Sequence, residues 1–114
     1  MASLSGRRKL NDNGKERHIM AKYISLLRFT EPGAKDLKKS TNRAHNFDKI
    51  AAKAGVKIAG QYWTLGAYDG VLIISADSEQ KALQCLGQLA SQGNVRTETM
   101  QAFSDKEFDA ILGK

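Results

Sequence analysis

The chain has 114 residues, 41% of them hydrophobic and 26% charged, with ten glycines and one proline, which suits a single domain with one modest core. No apolar run approaches the roughly 20 residues of a membrane-spanning helix, residues 6–18 are polar apart from Leu10 where a secretory signal needs an apolar stretch, and the lone Cys85 can close no internal disulfide and build no cysteine metal cluster. The net charge of +6 divides evenly, because residues 1–19 hold five basic against two acidic side chains and the remainder thirteen against ten.

Residues 1–19 contain Gly, Ser and Asn and show no apolar periodicity, so they are expected to form a disordered basic leader that the fold does not need. That segment reads as a solubilising leader, or as residues ahead of a true start at Met20. Five scattered basic residues are fewer than a polybasic arm for nucleic acid or anionic lipid uses. The folded domain is expected over residues 20–114, in a cytoplasmic protein.

Residues 21–29 alternate and are rich in Tyr, Ile and Leu, the pattern of a first strand. Pro32-Gly33 breaks it as a turn. From residue 34 to 54 the positions Leu37, Thr41, Ala44, Phe47, Ala51 and Ala54 fall at steps of three and four, one face of a helix of about five to six turns closed by Gly55. Residues 56–65 read as a second strand, the 66–70 stretch as a hairpin connection, and 71–76 as a third strand. Asp77 with Gln80 resembles a capping box that opens a helix to about Ser91, closed by Gly93, with Ala82, Leu83, Leu86, Leu89 and Ala90 inward. A fourth strand over 95–103 and a short helix over 105–112, capped by Ser104 and Glu107, complete the chain.

The order is β-α-β-β-α-β: an α+β, ferredoxin-like arrangement with a four-stranded antiparallel sheet and two helices on one face, plus a short C-terminal helix. Both sheet faces are apolar. Ile24 and Leu26 alternate with Tyr23, Leu27 and Phe29, and Leu72 and Ile74 alternate with Val71 and Ile73. Two helices cover one face only, and an apolar face left bare exceeds what monomers expose. A second copy of the chain, related by a two-fold axis, is the expected cover.

Three stretches resemble the GYD family, small bacterial and archaeal proteins named for a Gly-Tyr-Asp-like turn. They are Met20-Ala-Lys-Tyr-Ile-Ser-Leu-Leu-Arg-Phe-Thr, Tyr62-Trp-Thr-Leu-Gly-Ala-Tyr-Asp-Gly-Val, and Gly93-Asn-Val-Arg-Thr-Glu-Thr with Ala102-Phe103. The resemblance runs from Met20 to about Leu112 and leaves the leader outside. It implies the dimeric α+β barrel class, in agreement with the two-faced sheet. That class also contains small monooxygenases, isomerases and haem-binding enzymes, which is an analogy of fold alone.

Six residues, Tyr68, Asp69, Trp63, Arg96, Glu98 and His45, are candidates for a ligand pocket. Tyr68 and Asp69 sit at the second hairpin, where Asp69 caps a tight turn beside Gly70 in an unusual φ, or where the pair presents a phenol and a carboxylate. Trp63 and Tyr62 point to opposite faces of their strand, one toward the core and one toward an interface. Arg96 and Glu98 share a face of a polar fourth strand, which is either a sheet edge or the wall of a wet cavity. His45 lies beside the inward stripe of the first helix but has no second histidine or carboxylate at a telling spacing. Cys85 reads as packing. The lysine-rich first helix reads as a solvated face.

These features favour an oligomeric small-ligand-binding or interaction module, with no cofactor and no metal. The alternative is a small cofactor-independent enzyme of monooxygenase or isomerase type. RNA binding is disfavoured, although the RNA-recognition fold shares this element order. That fold stacks bases on aromatic side chains of the inner strands, and the third strand here has none.

Overall fold

A computed structural model describes residues 8–10, 16–18 and 20–114. Two short antiparallel strands, β1 (Arg8–Leu10) and β2 (Glu16–His18), pair with each other ahead of the domain. The expected disorder of residues 1–19 otherwise falls outside the described residues.

The domain follows as β3 (Ala21–Phe29), α1 (Glu31–Lys35), a 3-10 turn (Leu37–Lys39), α2 (Ser40–Lys53), β4 (Lys57–Trp63), β5 (Gly70–Ala76), α3 (Glu79–Ser91), β6 (Val95–Ala102) and α4 (Asp105–Ile111). The sheet is antiparallel with strand order β4-β5-β3-β6. This is the ferredoxin-like arrangement expected from the element order, with β3 and β5 central and the polar β6 at an edge. A bulge between Ile58 and Gly60 shifts the register of β4 against β5. No described helix is long and apolar enough to cross a membrane.

Alternation along the strands divides the sheet. Ala21, Tyr23, Ser25, Leu72, Ile74 and Ala76 are buried beneath Phe47 and Ala51 of α2 and Ala82, Cys85 and Leu86 of α3. Ser25 is a fully buried polar group in this layer, and its hydroxyl is satisfied by Thr99, directly opposite on β6. Burial pushes the Cys85 thiol above its ordinary range, which keeps it a neutral packing group.

The first helical segment departs from the expected single helix over 34–54. It starts three residues earlier, with Thr30 as N-cap accepting from Gly33 N–H at 3.2 Å and Pro32 in the first turn, where its missing N–H costs nothing. Helical geometry then breaks at Asp36 (φ −108, ψ 45) and resumes through the 3-10 turn. One guanidinium spans that break: Arg43 donates to Asp36 O at 2.9 Å, which also accepts from Lys39 N–H, and to Gly33 O at 3.2 Å. Leu37, expected inward, is consequently exposed.

Gly33 explains why α1 sits where it does. A β-carbon at that position would lie 2.0 Å from the Asn94 carbonyl oxygen, and Thr30 bonds the same loop through its N–H to Asn94 O (3.1 Å) and its hydroxyl to Gly93 O (2.6 Å). Gly33→Ala is therefore expected to destabilise the domain by about 2 kcal/mol, since neither backbone can yield without losing these bonds. Thermal unfolding checks it; a melting temperature within a degree or so of the wild type would mean the loop gives way freely.

Three further expectations are corrected. The cap of α3 is Ser78, which accepts from Lys81 N–H at 3.2 Å, while Asp77 pairs with the Lys81 ammonium at 3.1 Å. Leu83 points outward at 73% exposure, because Ala82, Cys85 and Leu86 already fill the face of α3 toward the sheet. Gly70 has no positive φ; it starts β5, where a side chain would crowd the Tyr62 carbonyl at 3.0 Å. The capping box at Ser104 and Glu107 is present as expected.

Candidate functional site

The hairpin between β4 and β5 sends its two candidate residues to different places. Asp69 is wired into the sheet: its carboxylate accepts from Phe29 N–H at 2.8 Å, its N–H donates to Leu27 O at 2.8 Å, and its carbonyl accepts from Thr64 N–H at 3.0 Å. It closes the end of β3 and lines a cavity of about 80 Å³ beneath α2 and the start of β6. Trp63 lines the same cavity and donates its indole N–H to Ser40 Oγ at 2.8 Å, at the first residue of α2. Leu27, Phe47, Leu72 and Leu89 give the cavity apolar walls. An apolar cavity of about 150 Å³ holds benzene, so this one takes a smaller aliphatic group, such as the tip of one side chain.

Tyr68 lies on the opposite, helix-free side of the sheet. Its hydroxyl donates to Glu98 Oε2 at 2.8 Å, and the Arg28 guanidinium stacks over its ring at 4.6 Å while donating to Ala67 O at 3.1 Å. Arg96 stands directly across from Arg28 in the β3–β6 register, a like-charged cross-strand pair. Three of the six candidates, Tyr68, Glu98 and Arg96, are thus brought together. Asp69 and Trp63 form a second group on the other face. His45 is exposed on α2 and joins neither. Arg28 and Arg43 were not singled out from the sequence; their roles depend on partners that periodicity along the chain does not identify. No group of three or more His, Cys, Asp or Glu side chains among the described residues could hold a metal ion.

The phenol of Tyr68 is held above the ordinary tyrosine value, first because its hydroxyl donates to Glu98, then through burial and the Glu98 charge, with Arg28 opposing. A raised value in the folded state means that this contact contributes stability in full below the ordinary value near 10 and loses it as pH rises through the raised one. Glu98→Ala is expected to return the Tyr68 titration toward the ordinary value, read from tyrosinate absorbance. An unchanged curve would show that Glu98 does not control the phenol.

Between the Tyr68 cluster and the opposite end of the sheet the helix-free face is apolar. Ile24 lies across from Ile73 and Leu26 from Val71, with Met100 beside Ile24 and Tyr62 beside Val71. Met100 and Tyr62, on the two edge strands, are exposed. The chain's own final helix leaves this face open, because Phe108, Ile111 and Leu112 remain more than half exposed.

The structure thus defines a small ferredoxin-like α+β domain whose one uncovered apolar sheet face is flanked by charged and aromatic side chains. The chain belongs to the GYD domain family, whose domain matches residues 23–112. It is 32% identical over 94 residues, spanning 82% of this chain and 99% of the relative, to a Thermus thermophilus protein named "Glutamine synthetase and cystathionine beta-lyase binding protein".

Proposed function

We propose that this chain is a cytoplasmic protein-interaction module that works as a homodimer joined through the helix-free face of its sheet and docks onto metabolic enzymes. The uncovered apolar face carries the reading. A row of Ile24, Leu26, Val71 and Ile73 across two central strands is a surface that a solvated antiparallel sheet would fill with polar residues. The relative's name supplies the class of partner: proteins of the glutamine synthetase and cystathionine β-lyase kind. Neither the family nor the relative favours the enzyme alternative.

The reading is tested with the purified chain. Light scattering at micromolar concentration is expected to return twice the mass of one chain, and glutamine synthetase or cystathionine β-lyase from the same organism is expected to bind the immobilised protein. A monomeric mass removes the dimer; failure of both enzymes to bind removes the partner class.

The cavity beside Trp63 supports a second, narrower reading as a small-ligand pocket. It would hold an aliphatic tip, with Asp69 at its wall.

A further inference from the structure

At seven residues, α4 is shorter than any helix that holds alone in water, and its capping box satisfies only its first turn. The apolar side it needs to pack is bare, with Phe108, Ile111 and Leu112 at 54%, 52% and 57% exposure and Phe103 exposed ahead of it. The helix is acidic on balance, with Asp105, Glu107 and Asp109 against Lys106 inside it and Lys114 just past its end. Lys114 pairs with Asp109 at 3.7 Å, while Glu107 also closes the capping box.

The open sheet face is its complement. The centre is apolar and both ends carry a basic excess: Lys22 and Lys57 flank Ser75 at the end where α4 begins, and Arg28 and Arg96 face each other at the far end, where the Glu98 carboxylate accepts from Tyr68. Among the described residues Arg96 has no ion pair.

Two such faces stack only about a two-fold axis lying between them. An axis along the strands brings each α4 to the other copy's Lys22 end; an axis across the strands brings it to the Arg28 and Arg96 end. Because both ends carry a basic excess, the acidic helix meets complementary charge in either arrangement. The groove between α3 and β6, where Leu83 is exposed, offers no such match, since Glu79 lines it.

Resting on the dimer proposed above, we propose that α4 of each copy seats on a basic end of the other copy's open face. Phe108, Ile111 and Leu112 then lie against the apolar centre, and the helix carboxylates face the basic groups. The helix gains the cover it lacks, and the dimer gains an arm from each protomer.

The test compares the full chain, a chain ending at Phe103, and full-length Phe108→Asp by sedimentation equilibrium, with circular dichroism to establish folding. The dimer dissociation constant is expected to rise at least tenfold, roughly, in both variants, from the apolar area withdrawn. Raising the salt should weaken the full-length dimer and leave the shortened one nearly unaffected, because the helix charges are then absent. A shortened chain that dimerises as tightly as the full one overturns the helix seat and leaves the dimer standing. Leu83→Asp matching the truncation, with no salt effect on the full chain, places α4 in the α3 groove and overturns it as well. A full chain that is monomeric removes the dimer and the seat together.

Discussion

Ile73→Asp is expected to convert the dimer to a monomer at micromolar concentration. Ile73 lies on β5 across from Ile24 on one side and Gly60 on the other, at the middle of the helix-free face. A standard interface buries about 800 Å² on each copy. If half of that is apolar, burial contributes on the order of 10 kcal/mol per copy before the costs of association. The two-fold axis places two aspartates in this contact, each desolvated without a partner. That loss is at least about 3 kcal/mol, on the order of 100-fold in the dissociation constant.

Sedimentation velocity reads the effect directly. Ile73 is half-buried in its own protomer, so part of the cost falls on folding. Met100→Asp, on the exposed edge strand, makes the same test with less of that cost. Lys38→Asp, exposed on the 3-10 turn, serves as control and should leave the mass unchanged. Folded Ile73→Asp and Met100→Asp proteins that remain dimeric would move the interface to another surface.

The largest loss of stability is expected from Phe47→Ala. Phe47 is 2% exposed and packs the middle of α2 onto the sheet. Truncating a buried phenylalanine costs about 3–5 kcal/mol, with the higher costs where the site cannot collapse. Phe47 already borders the 80 Å³ cavity, so its removal enlarges an existing void whose Trp63 wall is tied to Ser40. The upper part of that range is therefore expected. For a domain of this size each kcal/mol is worth about 4–8 °C, so the melting temperature should fall by roughly 16–40 °C. Phe47→Leu, which fills most of the space, should lose less than half as much. A fall of only a few degrees for Phe47→Ala, measured by calorimetry, would mean that α2 repacks over the gap.

Local signals carried most of the fold. The strand over 21–29, the capping box at Ser104 and Glu107, and the helix ends at Gly55 (φ 75) and Gly93 (φ 79) were legible in the sequence. Each depends on a short local pattern of residues, or on backbone angles that only glycine adopts without strain. The apolar face that the helices leave bare was legible too, because alternation with period two assigns every strand residue to a face.

Contacts across long stretches of chain decided the rest. The start of the first helix is pinned where Gly33 passes so close to Asn94 that a β-carbon would lie 2.0 Å from its carbonyl oxygen. Arg43 then spans the break at Asp36 by donating to the Asp36 and Gly33 carbonyls. The separation of Tyr68 from Asp69 follows from partners 30 and 40 residues away, Glu98 and the Phe29 N–H. Periodicity cannot choose among such partners, because it records which face a residue occupies and not what stands across from it. By itself the sequence determined an α+β domain of this family with one apolar sheet face too many. The tertiary structure decided that Tyr68, Glu98, Arg28 and Arg96 edge that face, while Asp69 and Trp63 close a cavity on the other, because strand register and one broken helix set those distances.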